Sequence, residues 1–197
     1  MEDNFMKKMS GGIIALIVVV LVVAIAAAWG VGNYNSLVGL REDVTGQSSN
    51  IDTQLQRRTD LIPNLVATVK GYAAHETEIM TALADARANL AGAGTMQEKA
   101  NADAQLSGAL SRLLVVVENY PNLKADAQYT ALMDELAGTE NRIAVSRKDY
   151  NDTARVYNKR IKSFPSVIFA NMFGFDAAEY FEATEGSDVP PTVDFSK

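Results

Sequence analysis

The chain contains no cysteine. That removes disulfides, zinc ribbons and thiol nucleophiles together, and it leaves the compartment open, because a cysteine-free chain suits either side of a membrane. Histidine occurs once, as His75. A two-histidine metal site therefore cannot form within one chain, and His75-Glu76 is followed by Ile79 where a zinc-protease helix needs its second histidine. No Ser-His-Asp arrangement is signposted around that residue. Gly92-Ala93-Gly94 has no strand before it and no Gly-Lys-Ser/Thr after it, so it reads as a linker and not a phosphate loop. Glu118, Glu135 and Glu140 lack the Glu-x-x-His pairs of a carboxylate metal site in a bundle. Basic charge is also short: 18 Lys and Arg against 24 Asp and Glu give a net charge of −6, which argues against nucleic acid as a partner. Strict apolar–polar alternation is missing, so no sheet is expected. The expectation is a protein that is not an enzyme and takes no cofactor or metal.

What the sequence has is helix. Gly11 to Gly32 carries no charge, and Ile13 to Trp29 is almost wholly Ile, Val, Leu and Ala. About 20 such residues span a hydrocarbon core. Trp29 and Tyr34 fall where interfacial aromatics sit. A cleavable signal ending at Ala26-Ala27-Ala28 is the rival reading, but secretory apolar cores run only about 7–15 residues. Lys7 and Lys8 precede the span and Arg41 follows it, a bias of one basic residue toward a cytoplasmic N-terminus and a bundle outside the cytoplasm. Ala24, Ala28 and Gly32 share a face, a candidate transmembrane packing face for a homo-oligomer; Ala and Gly are also common in any anchor.

The periodicity predicts four long antiparallel helices. The anchor continues as a helix to about Arg57, with Leu37, Leu40, Val44, Ile51 and Leu55 on one face. Arg57-Arg58-Thr59-Asp60-Leu61-Ile62-Pro63-Asn64-Leu65 reads as the turn into the second helix, with Asp60 as its cap and Pro63 in its first turn. The second stripe is Ile62, Leu65, Val69, Tyr72, Glu76, Ile79, Leu83, Ala86 and Leu90, interrupted by Glu76. Thr95-Met96-Gln97-Glu98 has the capping-box form and opens a third helix with Ala102, Leu106, Leu110, Leu113, Val117 and Tyr120 inward. Tyr120-Pro121 stops it. The fourth helix starts near Ala125 or Asp126 and ends at Phe164-Pro165, with Tyr129, Leu132, Leu136, Thr139, Ile143, Tyr150, Ala154, Tyr157, Ile161 and Phe164 inward. A short apolar helix containing Phe169, Met172 and Phe173 follows, capped by Gly174. An acidic irregular tail closes the chain, with Val193 and Phe195 able to tuck back. The domains are then 1–10 polar, 11–32 transmembrane, 33–165 antiparallel bundle, and 166–197 apolar helix and tail.

Three sets of residues stand out as candidate sites. The turn, through Arg57, Arg58, Asp60 and Asn64, is either a structural corner or a partner-docking tip, about 35–40 Å from the bilayer by helix rise. Arg155, Lys159, Arg160 and Lys162 with Phe169 and Phe173 are either a membrane-surface contact or cations complementing a helix dipole beside an apolar core cap. The pairs Tyr34-Asn35, Tyr150-Asn151 and Tyr157-Asn158 suit hydrogen bonding that fixes helix register.

Ile51-Asp52-x-Gln54-Leu55-x-Arg57-Arg58-x-Asp60-Leu61-Ile62-Pro63-Asn64-Leu65-Val66, then Val69-Lys70-Gly71-Tyr72 and His75-Glu76, resembles the signature of the LemA family. Tyr120-Pro121-x-Leu123-Lys124-Ala125, Glu135-Leu136-x-x-Thr139-Glu140-Asn141-Arg142-Ile143, the Tyr-Asn pairs, Phe164-Pro165 and Tyr180-Phe181 extend it from about Tyr34 to Phe181. Gln47-Ser48 departs from the Ala-Trp of many relatives. The resemblance implies a single-pass membrane protein with an antiparallel helical bundle and supplies no reaction and no catalytic residues. A relative acts in magnetosome membranes, an analogy toward membrane organisation. The expected function is a membrane-anchored scaffold or interaction protein, working on the lipid bilayer by coiled-coil-like self-assembly or by docking a membrane-protein partner. The alternative is an accessory subunit of a membrane protease or envelope-stress pathway.

Overall fold

The helical periodicity becomes six helices and, among the described residues, no strand. The structure, a computed structural model, describes residues 11–73 and 75–182. The helices are α1 (Gly11–Lys70), α2 (Thr77–Gly92), α3 (Met96–Val117), α4 (Pro121–Lys124), α5 (Ala127–Lys162) and α6 (Ser166–Phe173). The expected polar segment with Lys7 and Lys8, and the tail containing Pro190, Pro191, Val193 and Phe195, lie outside the described residues. The described residues divide into two compact units: residues 11–42 with 156–177, and residues 43–155 with 178–182.

The second unit is an antiparallel bundle. Its helices bury one face each: Val44, Ile51, Leu55, Ile62, Leu65 and Val69 from α1, Met80, Leu83, Ala86 and Leu90 from α2, Leu106, Leu110, Leu113 and Val117 from α3, and Leu136, Thr139, Ile143 and Tyr150 from α5. Directions follow from paired residues. Asn89 meets Gln105 and Glu76 meets Tyr120, so α2 and α3 run oppositely. Lys99 meets Asp52 while Asp103 meets Arg58, so α3 runs with α1. Asp126 meets Tyr72 while Glu135 meets Arg57, so α5 runs against α1.

The expected turn at Arg57–Leu65 is not there. Residues 57 to 65 lie inside α1, with Pro63 in the helix interior. A proline there deletes the N–H that would bond the carbonyl four residues back and costs about 3 kcal/mol. Two features offset it. Ile62, Leu65 and Val69 are buried on the same seam as Leu55, each contributing about 1.5–3 kcal/mol by burial. The carbonyl that Pro63 leaves without a donor, that of Thr59, accepts instead from Arg87 Nε of α2 at 3.1 Å. The reversal falls later, between Lys70 and Thr77, after Ala73 N–H closes the last turn on the Val69 carbonyl at 2.8 Å. Glu76, which interrupts the apolar stripe, stands immediately before α2.

The remaining ends obey local chemistry. Thr95 and Glu98 form the expected reciprocal capping box at the start of α3. Where the sequence predicts only a stop after Tyr120, the four-residue α4 forms, with Pro121 in its first turn. Asp126 Oδ1 accepts from Tyr129 N–H at 2.9 Å and so caps α5. Helix α5 ends at Lys162, short of Phe164, whose side chain is exposed and not part of the core. Gly174 ends α6 in the left-handed conformation, φ 70°, as expected.

In the first unit, Ile13 to Val23 and Ile25 of α1 are exposed along an apolar surface, and this is the one helix among the described residues long and apolar enough to cross a membrane. Further along the same helix, Trp29 meets Phe169 edge-on at 5.5 Å, and Tyr34 meets Phe173 at 4.9 Å and Phe175 at 5.7 Å. Asn33 is buried: its amide donates to the Trp29 carbonyl at 3.0 Å, and its oxygen accepts from Arg160 at 3.2 Å and Ser166 at 3.3 Å.

Candidate functional site

Three helices of the bundle place a charged side chain at one level of the seam. On α1, Arg58 stands between Leu55 and Ile62; on α3, Asp103 stands three residues before Leu106; on α5, Arg147 stands between Ile143 and Tyr150. Arg58 and Asp103 are buried and Arg147 is half-buried. One Asp103 oxygen pairs with Arg58 and the other with Arg147. Arg58 also reaches Glu140 Oε2 at 2.6 Å and donates to Ser107 Oγ at 3.0 Å. Two cations and two anions make the group neutral, so that mutual attraction and hydrogen bonds offset the desolvation each charge undergoes on burial.

This network continues into the C-terminal segment. The Arg147 guanidinium sits 4.4 Å from the centre of the Phe181 ring. Asn151 clamps the same residue: its amide nitrogen donates to the Phe181 carbonyl at 3.0 Å and its oxygen accepts the Phe181 N–H at 2.8 Å. Tyr150 donates to the Glu179 carbonyl at 2.6 Å. In the first unit Tyr157 donates to the Asp176 carbonyl at 2.9 Å. Tyr150, Asn151 and Tyr157 thus fasten the non-helical backbone of residues 176–181 to α5. Burial, with the Glu179 charge adding to it, raises the Tyr150 phenol above its ordinary pKa, and burial likewise raises Tyr157. These phenols act as neutral donors.

The other predicted residues divide by environment. Arg57 is exposed and pairs with Glu135, whose carboxyl is held below its usual range by that hydrogen bond. Asp60 is exposed and accepts from Gln56 at 2.8 Å, not from either arginine, and it caps no helix. Asn64 is exposed, and its carbonyl accepts from Thr68 at 2.9 Å. Arg57, Arg58, Asp60 and Asn64 therefore form no tip: they lie along one helix, and Arg58 points into the core. Arg155 pairs with Asp152 at 2.9 Å. Lys159 and Lys162 are exposed, while Arg160 also reaches Asn33. Phe169 is half-buried against Trp29, and Phe173 is exposed on its far side. Ala24, Ala28 and Gly32 are exposed, and nothing lies within 4 Å of where a Gly32 Cβ would be.

His75 is exposed, and Glu118 pairs with Lys124 at 2.8 Å. Among the described residues no group of three His, Asp or Glu side chains is arranged to hold a metal ion. Asp103 and Arg147 were not singled out in the sequence. The signal was present in the spacing: the α5 stripe skips from Ile143 to Tyr150, and three steps back from Leu106 falls on Asp103.

Comparison with known proteins gives a consistent answer. The chain is 30% identical to "Magnetosome protein MamQ 2" of Paramagnetospirillum magneticum, an alignment covering 93% of this chain and 78% of that protein. It is 30% identical to "Magnetosome protein MamQ" of Magnetospirillum gryphiswaldense, covering 80% of this chain and 67% of the relative. It is 24% identical to "Protein LemA" of Metamycoplasma hominis, covering 79% and 71%. The sequence model of the LemA family matches residues 47–195, which include Arg58, Asp103, Arg147, the Tyr150-Asn151 pair and Phe181. The chain belongs to the LemA family.

Proposed function

We propose that this protein is a single-pass, membrane-anchored scaffold that works by self-assembly or by docking a membrane-protein partner, with its N-terminus on the cytoplasmic side and its bundle outside the cytoplasm. One observation carries the reading: the ionisable residues in the bundle core are engaged with each other, as in Arg58–Asp103–Arg147, so the bundle interior serves rigidity. The exposed Ala24, Ala28 and Gly32 face on the apolar part of α1 suits close approach of a second anchor. Two relatives named as magnetosome proteins are compatible with a role in membrane organisation.

The test is the oligomeric state of the full-length protein extracted with its native lipids, together with cross-linking in intact membranes. Dimers or larger assemblies that weaken when Ala28 and Gly32 become Leu support self-assembly. A monomer at native expression with no co-purifying membrane protein overturns the scaffold reading. A protease accessible from outside the cytoplasm should cleave the bundle and spare an N-terminal tag.

A further inference from the structure

We propose that α6, with Phe164 before it, is a second membrane contact: a short helix lying in the interface of the same bilayer that α1 crosses. The inference rests on the membrane reading of α1. Four side chains carry it. Phe164 is 81% exposed, Met172 65%, Phe173 53% and Ile168 51%, all in one short stretch. Phe164, Ile168 and Met172 recur at four-residue steps, while Phe169 and Ala170 face the protein. A helix this apolar on its outer side has no reason to face water.

Three further observations identify the occupant as lipid. First, the apolar face is continuous with the span. Phe169 packs on Trp29 and would lie 3.2 Å from a Cβ at Gly30, and the groove between the helices is lined by Ala26, Ala27, Gly30, Val31, Phe169 and Phe173. The outer face of α6 thus adjoins the exposed apolar surface of α1, which runs on through Trp29 and Val31. Second, aromatic residues gather at that level: Trp29, Tyr34, Phe169 and Phe173 form edge-on pairs at the boundary where such rings concentrate. Third, the charge is right for phospholipid. The described residues of this unit carry Arg41, Lys159, Arg160 and Lys162 against Glu42 and Asp176, a basic surplus in a chain whose net charge is −6. Lys159 and Lys162 are exposed just before Phe164, where their ammonium groups meet headgroup phosphates while the phenyl ring enters the acyl boundary.

The absence of cysteine makes the experiment direct. Full-length protein is reconstituted into vesicles of phosphatidylcholine and phosphatidylglycerol. A single cysteine carries an environment-sensitive fluorophore at Val20, Ile168, Met172 or Val145, the last being 60% exposed on the bundle. Nitroxide-labelled lipid should quench the label at Val20, Ile168 and Met172 about twofold and leave Val145 unchanged; aqueous iodide should do the reverse. Lys159→Glu with Lys162→Glu should lower lipid quenching at Met172 more in these vesicles than in pure phosphatidylcholine, and an equal effect in both overturns the headgroup role. Quenching at Val20 with iodide access at Met172 overturns the inference and leaves the span standing. Shielding of Met172 from both quenchers means that protein covers α6, which also overturns it. Iodide access at Val20 overturns the membrane reading itself.

Discussion

Arg87 of α2 donates to the carbonyl of Thr59 at 3.1 Å, the carbonyl whose helical partner is removed by Pro63. A long-range contact thus repairs a local defect, and it ties α2 to α1 where α1 is weakest. Replacing Arg87 with Ala leaves a buried carbonyl without a donor, which costs about 1–3 kcal/mol. Pro63→Ala restores the N–H, so the same Arg87 change costs less in that background. A double-mutant cycle by denaturant unfolding should give a coupling of about 1 kcal/mol; a coupling of zero would mean that Arg87 acts only by packing.

Adjacent arginines should behave oppositely. Arg57 and Glu135 form an exposed pair, so Arg57→Glu should change stability by at most about 1 kcal/mol. Arg58 is buried against Asp103, and Arg58→Glu sets two acids together in the core and should prevent folding. Asp103→Asn leaves Arg147 without an anion and Arg58 with only the half-exposed Glu140, and should cost about 3–5 kcal/mol. Replacing Arg58, Asp103 and Arg147 by Met, Leu and Met, together with Glu140→Gln so that no anion is left without its cation, should cost less than Asp103→Asn alone, since the apolar groups need no partners. Circular dichroism melts of the four variants check the order.

These two sites also explain what could be read from the sequence. The apolar seam was legible because Leu55, Leu83, Leu106, Leu113, Leu136 and Ile143 obey three- and four-residue steps, and all are buried. The position of the first reversal was not. Proline is a local breaker, and Arg87 lies too far along the chain for a local rule to include it. The two better signals were Gly71 and the polar Glu76 in an otherwise apolar stripe, which bracket the observed turn. Asp103 and Arg147 were legible only as gaps in their stripes, and Arg58, singled out for the turn, also fills a gap, between Leu55 and Ile62. That the gaps share a level depends on helix register, which the connections set and the periodicity does not. The sequence suggested that the Tyr-Asn pairs fix helix register; Tyr150, Asn151 and Tyr157 instead bond the backbone of the segment after α6, a partner that periodicity does not name.

The capping box at Thr95 and Glu98 predicts an acid-side loss of stability. Backbone N–H groups of Thr95 and Gly94 donate to the Glu98 carboxylate and hold its pKa below the ordinary value. A depressed folded pKa means that its contribution is present above the unfolded value of about 4.3 and is lost as pH falls through the lower folded value. Glu135, lowered by Arg57, loses its share over the same window. Glu98→Gln should therefore flatten the fall in unfolding midpoint below about pH 4.3 without altering the plateau above it in shape. An unchanged acid slope would show that the box contributes nothing through its charge.

The strap formed by residues 179–181 should detach separately from the bundle. Asn151 supplies both hydrogen bonds to Phe181, Tyr150 bonds the Glu179 carbonyl, and Arg147 lies over the Phe181 ring. Asn151→Ala removes a donor and an acceptor, together about 1–3 kcal/mol at about 0.5–1.5 each. Phe181→Ala removes the ring and costs about 0.5–2 kcal/mol through the cation contact. Amide exchange at Phe181 should accelerate in both variants, while amides near Leu106 and Ile143 keep their protection, because local opening needs only the contacts of the segment that opens. Arg147 links the two regions: Phe181→Ala exposes it and weakens its hold on Asp103, so this variant should also lower the global unfolding midpoint, whereas Asn151→Ala should shift it less. Equal loss of protection at Phe181, Leu106 and Ile143 in Asn151→Ala would mean that the strap and the bundle unfold as one body.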